Sequence, residues 1–207
     1  MNWMEAVAVV FGVVAVALTI KQNLWCWPAG LVQVSLYVFV FYEARLYSDM
    51  VLHVIYVTLQ IYGWYNWRQG RSGTALPVSR LSFVEAAGWT AVIAVAAFVW
   101  GEVMIRYTNA AAPRADAFIA AASLVAQYLL AIKKIENWII WIVVDVVAIA
   151  VYWSRDLKLT AGLYAIFLVL CVLGVIEWWR SYERNRTGPA AAAAPARATA
   201  RAIPALA

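Results

Sequence analysis

Seven long apolar runs, nearly free of charge, constrain this chain more than any other feature; they cover residues 4–20, 24–42, 49–67, 83–104, 116–132, 138–153 and 159–179. Each is of roughly the 17 to 22 residues that a helix needs to cross a hydrocarbon core. Lipid offers no partner to backbone N–H and C=O groups, so a spanning segment is a helix or part of a closed barrel. The strict apolar/polar alternation of a membrane barrel is absent, which leaves an all-α polytopic membrane protein. With 66% hydrophobic and 13% charged residues and a mean hydropathy of +0.76, the composition excludes a soluble globular domain. The first run follows Met1 to Glu5 without the basic flank or small-residue cleavage site of a signal peptide, so it is kept as a helix. Cys26 and Cys171 both fall inside apolar runs, where a thiol behaves as a small hydrophobe.

Seven spans put the termini on opposite sides, and the basic residues orient them. Lys21, Arg68, Arg71, Arg80, Lys133, Lys134, Arg180, Arg184, Arg186, Arg197 and Arg201 share the side of the C-terminus, whereas Arg45, Arg106, Arg114, Arg155 and Lys158 share that of the N-terminus. The positive-inside rule makes the C-terminus cytoplasmic and the N-terminus external. The net charge of +5 is therefore an orientation signal, and no soluble basic face exists on which nucleic acid would dock. Residues 188–207 are rich in Ala and Pro without bulky periodicity and read as a disordered cytoplasmic tail.

Displacing the chain against itself so that Trp27 falls on Trp138 also lays Gly63 on Gly174, Trp67 on Trp178 and Glu5 on Asp116. Apolar matches are cheap in such a composition, but Gly and Trp matches are not. The first three runs thus pair with the last three, leaving 83–104 as a linker in a 3+1+3 plan. An odd linker makes the halves parallel, a type of repeat that places substrate sites near the midplane at the repeat interface. The expected domains are 1–80 and 107–187 for the two three-helix repeats, 81–106 for the linker helix and 188–207 for the tail.

At this point the residues carry a family likeness. Lys21 to Gly70 contains Trp25-x-Trp27-Pro28-x-Gly30 and Ile61-Tyr62-Gly63-Trp64; Glu136 to Arg184 contains Glu136-Asn137-Trp138-x-x-Trp141-x-x-x-Asp145 and Glu177-Trp178-Trp179-Arg180. Over about residues 5 to 186 the chain resembles PnuC-type vitamin transporters. The resemblance implies a SWEET-like fold, a homotrimer in the bacterial inner membrane, and facilitated diffusion of nicotinamide riboside. It also implies metabolic trapping by a cytoplasmic kinase that phosphorylates the imported nucleoside. Relatives that carry thiamine or riboflavin keep those vitamins open as alternatives.

The residues themselves point to a binding face. Asp49, His53, Tyr56, Gln60, Gly63, Trp64 and Trp67 recur at three- and four-residue steps on one face of the third run, and Asn137, Trp141, Asp145 and Tyr152 do so on the sixth. A polar group at mid-membrane depth must face a bundle interior or a wet cavity. The expected substrate contacts are Tyr56, Gln60, Trp64, Asn137, Trp138, Trp141, Asp145 and Trp178. Against this stand plainer roles: interhelical hydrogen bonds for Gln60 and Asn137, a structural hydrogen bond or ion pair for Asp145, and an interfacial belt for Trp178. The lone histidine, His53, reads as a packing residue, since no ligand at i±3 or i±4 completes a metal set. No phosphate-binding loop exists for ATP, no nucleophile elbow supports a hydrolase, and no cofactor is expected. A transporter, a cation channel with Asp145 as a charge ring, and a membrane enzyme or receptor remain. Transport fits best, because aromatic faces with a few hydrogen-bonding groups suit a flat heteroaromatic ligand, and Trp rings with Asp145 suit a pyridinium charge.

Overall fold

The computed structural model describes residues 3–43, 45, 47–70, 75–108 and 112–187; the stretch expected to form the disordered tail lies outside them. Seven helices follow one another: α1 (Trp3–Ile20), α2 (Cys26–Glu43), α3 (Tyr47–Gln69), α4 (Phe83–Tyr107), α5 (Pro113–Ala131), α6 (Glu136–Ser154) and α7 (Lys158–Thr187). Among the described residues there is no strand, only a single bridge between Ser79 and Lys134.

The helix ends follow local chemistry. Ser82 and Glu85 form a reciprocal capping box that starts α4, and Pro113 opens α5 at a position where its missing N–H costs nothing. Helix α7 runs to Thr187, beyond the expected end at 179, because Glu177 pairs with Arg180 and Arg184 and Glu183 with Arg186 along an aqueous turn. Five helices, α1 and α4 to α7, are long and apolar enough to cross a membrane on their own account. Helices α2 and α3 do not reach that measure by themselves. Asp49, His53, Gln60, Asn66 and Arg68 make α3 too polar to qualify alone; His53, Gln60 and Asn66 are half-buried, whereas Asp49 and Arg68 are exposed.

Packing falls into neighbours along the chain and two contacts across it. α1 packs on α2 and α2 on α3; α5 packs on α6 and α6 on α7; then α3 meets α5 and α7 meets α1. α4 packs on α5. Structural features recur at the displacement that superposes Trp27 on Trp138. Among the described residues, the non-glycine ones with left-handed backbone are Gln22 (φ 53°), Arg45 (φ 58°), Lys133 (φ 54°) and Asp156 (φ 60°), and the first two map onto the last two in this way. Trp67 donates from Nε1 to the Leu130 carbonyl at 3.3 Å, and its counterpart Trp178 donates to the Thr19 carbonyl at 3.1 Å. The basic end of the bundle, where the 21–25, 75–82 and 132–135 connections meet, is closed by these bonds. Ser79 is pinned there between the Lys133 carbonyl and the Ile135 N–H, each at 3.0 Å.

Candidate functional site

Between the two halves lies a cavity of about 400 Å³, lined by α1, α2, α3, α5, α6 and α7. Its floor, at the basic end, is aromatic. Trp27, Trp67, Trp178 and Trp138 form a chain of ring contacts with centroids 5.2, 5.9 and 5.5 Å apart, and Trp27 and Trp138 face the cavity. Gly63 and Gly174 make this possible: a Cβ at either position would fall within the indole of Trp27 or Trp138. Beneath the floor the Lys133 ammonium sits over the Trp67 ring at 4.3 Å and donates to Gln22 Oε1 at 3.3 Å. Burial pushes the pKa of that ammonium down to about 8.

The middle of the cavity holds its polar chemistry. Asp145 on α6 is 3% exposed, and the Cys171 thiol donates to its Oδ2 at 3.5 Å. No lysine or arginine lies among the described lining residues. A carboxylate in such surroundings lacks the counter-charge that buried ions ordinarily have, so a cationic ligand would supply it. Gln60 reaches in from α3, seated against Gly30, where a Cβ would collide with its carboxamide. Tyr56 shares a hydrogen bond with Ser123 of α5. Toward the opposite end, His53 packs at an angle among Tyr37, Phe41 and Tyr56, with ring centroids 5.4, 4.8 and 5.5 Å away. Its Nδ1 lies 2.9 Å from the Asp49 carbonyl, which can only accept, so that nitrogen carries a proton. Asp49 and Asp116 line the same end, and Asp116 is paired with Arg155 at 3.4 Å.

Of the eight residues expected from sequence, Tyr56, Gln60, Trp138, Trp141 and Asp145 line this cavity. Three others stand elsewhere. Trp64 is 36% exposed on the outside of α3, one helical step past the cavity face. Asn137 is fully buried at the start of α6, where its Nδ2 donates to the Lys134 carbonyl at 2.6 Å. Trp178 is fully buried behind the floor, its N–H spent on Thr19. His53, read from sequence as packing, packs and also lines the cavity. Sequence reasoning passed over Gln33, Ser123 and Gln127, which line it too. A signal was available on α5, where Asp116, Ala120, Ser123, Gln127 and Leu130 follow the helical step, but small residues between them made the face look like ordinary packing. Among the described residues no three His, Cys, Asp or Glu side chains gather as a metal ion requires.

Comparison with known proteins adds to this geometry. Residues 2–180 match the model of the family described as nicotinamide mononucleotide transporter. The chain is 30% identical over 198 residues to the nicotinamide riboside transporter PnuC of Neisseria mucosa, covering 89% of this chain and 74% of that one. It is 27% identical over 200 residues to the riboflavin/roseoflavin transporter RibM of Streptomyces davaonensis, covering 94% and 92%. Its fold is similar to a crystal structure of the vitamin B3 transporter PnuC, with a TM-score of 0.72, 28% identity and coverage of 88% of this chain and 83% of that one.

Proposed function

This chain belongs to the nicotinamide mononucleotide transporter family and is a PnuC-type membrane transporter rather than an enzyme, and from that premise we propose that it carries nicotinamide riboside. The observation that carries the reading is Asp145, buried in an aromatic cavity whose described walls hold no lysine or arginine. A pyridinium ring satisfies both features: Trp138 and Trp141 offer π faces to the cation, and the carboxylate offers the charge. The same walls disfavour the phosphorylated nucleotide. A phosphate brought among Asp49, Asp116 and Asp145 meets like charge with no free cation on the described lining to receive it.

Transport in this reading is facilitated diffusion through a SWEET-like arrangement of two parallel three-helix repeats, α1 to α3 and α5 to α7, joined by α4. The matched Trp67 and Trp178 bonds and the matched left-handed turns support the repeats; the chain divides at the boundaries 80, 106 and 187. All seven helices span the bacterial inner membrane, with the N-terminus outside and the C-terminus in the cytoplasm. There the basic end of the bundle faces inward, and a cytoplasmic kinase traps the product. Three copies assemble as a homotrimer, for which α4 has the free surface: Val92, Val95, Phe98 and Val99 are all exposed. Riboflavin is the second reading, favoured by the similarity to RibM. Its isoalloxazine is uncharged and leaves Asp145 without a counter-charge. Calorimetric titration of the purified protein with nicotinamide riboside, thiamine and riboflavin side by side tests the choice. The riboside is expected to bind at least tenfold more tightly than riboflavin, and the reverse order would overturn the substrate assignment.

A further inference from the structure

Four buried side-chain atoms among the described residues have no hydrogen-bond partner: Trp27 Nε1, Trp138 Nε1, Gln127 Nε2 and Asn137 Oδ1. The three nitrogens belong to residues that line the cavity; the one oxygen does not. Residues of the cavity wall therefore carry donors left over, and a buried donor left unpaired is costly enough that native structures rarely keep one without use. Gln127 stands out because it is 7% exposed, lies on the α5 wall next to α3 and takes no part in the site inferred from charge and aromatic character.

Its depth defines what it would meet. Gln127 lies four residues before the end of α5, and Trp138 two residues into α6, so a rise of about 1.5 Å per residue puts them within a few ångströms of the same level. Asp145 lies nine residues into α6, about 10 Å further along than Trp138 and about 7 Å beyond the level of Gln127. A ligand whose positive charge sits near Asp145 thus reaches the Gln127 level with a group a few bonds away from the charged atom. That group must accept hydrogen bonds, because the free atoms there are N–H groups.

Resting on the riboside reading above, we propose that Gln127 is a specificity-determining residue that donates from Nε2 to the carbonyl oxygen of the ligand's ring carboxamide, with the Trp138 N–H as a second donor. The cation is held by Asp145 and the rings, and the amide is read by the floor. Vitamins with a positive ring but no carbonyl at this distance then leave Gln127 unpaired and bind less well.

The experiment is a double-mutant cycle between protein and ligand, by calorimetry on the purified full-length chain. The probes are nicotinamide riboside and N-ribosylpyridinium, the same cation without its carboxamide. The parent protein is expected to prefer the amide-bearing cation by about tenfold or more, the range for leaving a buried group unpaired. In Gln127→Met, which keeps the length and loses the donor, that preference should fall to threefold or less while affinity for N-ribosylpyridinium changes less than twofold. Trp138→Phe, which keeps a ring and removes the N–H, should reduce the preference in the same direction and serves if Gln127→Met fails to fold. A preference that survives in these variants, or an equal loss for both ligands, overturns the role of Gln127 and leaves the transport reading standing. Failure of the parent protein to bind either cation overturns the transport reading and this inference with it.

Discussion

At the scale of single residues, the account turns on charges placed where charge is expensive. Asp145 has a thiol as its hydrogen-bond partner and no basic residue on the described cavity lining, so its carboxylate costs the empty protein stability that a cationic ligand restores. Asp145→Asn should weaken nicotinamide riboside binding tenfold or more, about 1.4 kcal/mol, while the melting temperature holds or rises. Affinity equal to the parent's would remove Asp145 as the charge partner. Lys133 gives a pH signature of its own. Burial lowers its pKa from an ordinary 10.5 to about 8, so the folded protein releases this proton more readily than the unfolded chain. Stability should therefore climb as pH rises from about 8 toward 10.5 and fall back as pH drops through 8, and Lys133→Met should flatten that climb in melting curves recorded from pH 7.5 to 9.5. Part of the site was legible at this scale. Asp145, Trp141 and Gln60 stand out in sequence because polar and aromatic groups are conspicuous on aliphatic helices. Gln127 does not, since the helical step it shares with Asp116 and Ser123 runs through an alanine-rich helix and reads as ordinary packing until its neighbours in space are known. Asn137 and Trp178 share the spacing of the site but turn to backbone carbonyls, a choice that periodicity cannot express.

At the scale of elements, the helices were legible because uncharged runs of this length have few alternatives, and their ends fell where caps and charges dictate. The exception is instructive: α7 continues past its apolar part through Arg180, Glu183 and Arg184, where ion pairs rather than apolarity sustain the helix. Two glycines set how closely elements approach. Gly63→Ala and Gly174→Ala should each destabilise by about 1 to 3 kcal/mol, the range for overpacking, because a rigid indole rather than a flexible chain end occupies the space. Gly88→Ala and Gly162→Ala meet nothing within 4 Å and should be neutral or stabilising, since a helical Gly costs about 0.5 to 1 kcal/mol relative to Ala. Melting temperatures of the four variants check the contrast; equal effects in both pairs would mean that the ring seats do not govern packing.

At the scale of the whole molecule, the internal repetition was visible in the sequence through a few Gly and Trp matches, but its consequence was not. Only the fold reveals that Trp67 and Trp178 each lock the opposite half's first helix and close one end of the cavity. If that closed end faces the cytoplasm, a membrane-impermeant thiol reagent applied from outside to a Cys26→Ala, Cys171→Ala background should label Asp156→Cys and spare Ala75→Cys. The opposite pattern would invert the orientation. The central claim is that a cavity with a buried carboxylate and aromatic walls moves a cationic nucleoside down its gradient, and flux through the purified protein in liposomes tests it most directly. With the membrane potential clamped at zero and no ATP, proton gradient or sodium gradient, labelled nicotinamide riboside should enter until inside and outside concentrations match, faster than in protein-free vesicles and without competition from nicotinamide mononucleotide. Flux no greater than in protein-free vesicles, or accumulation above the external concentration, would contradict it.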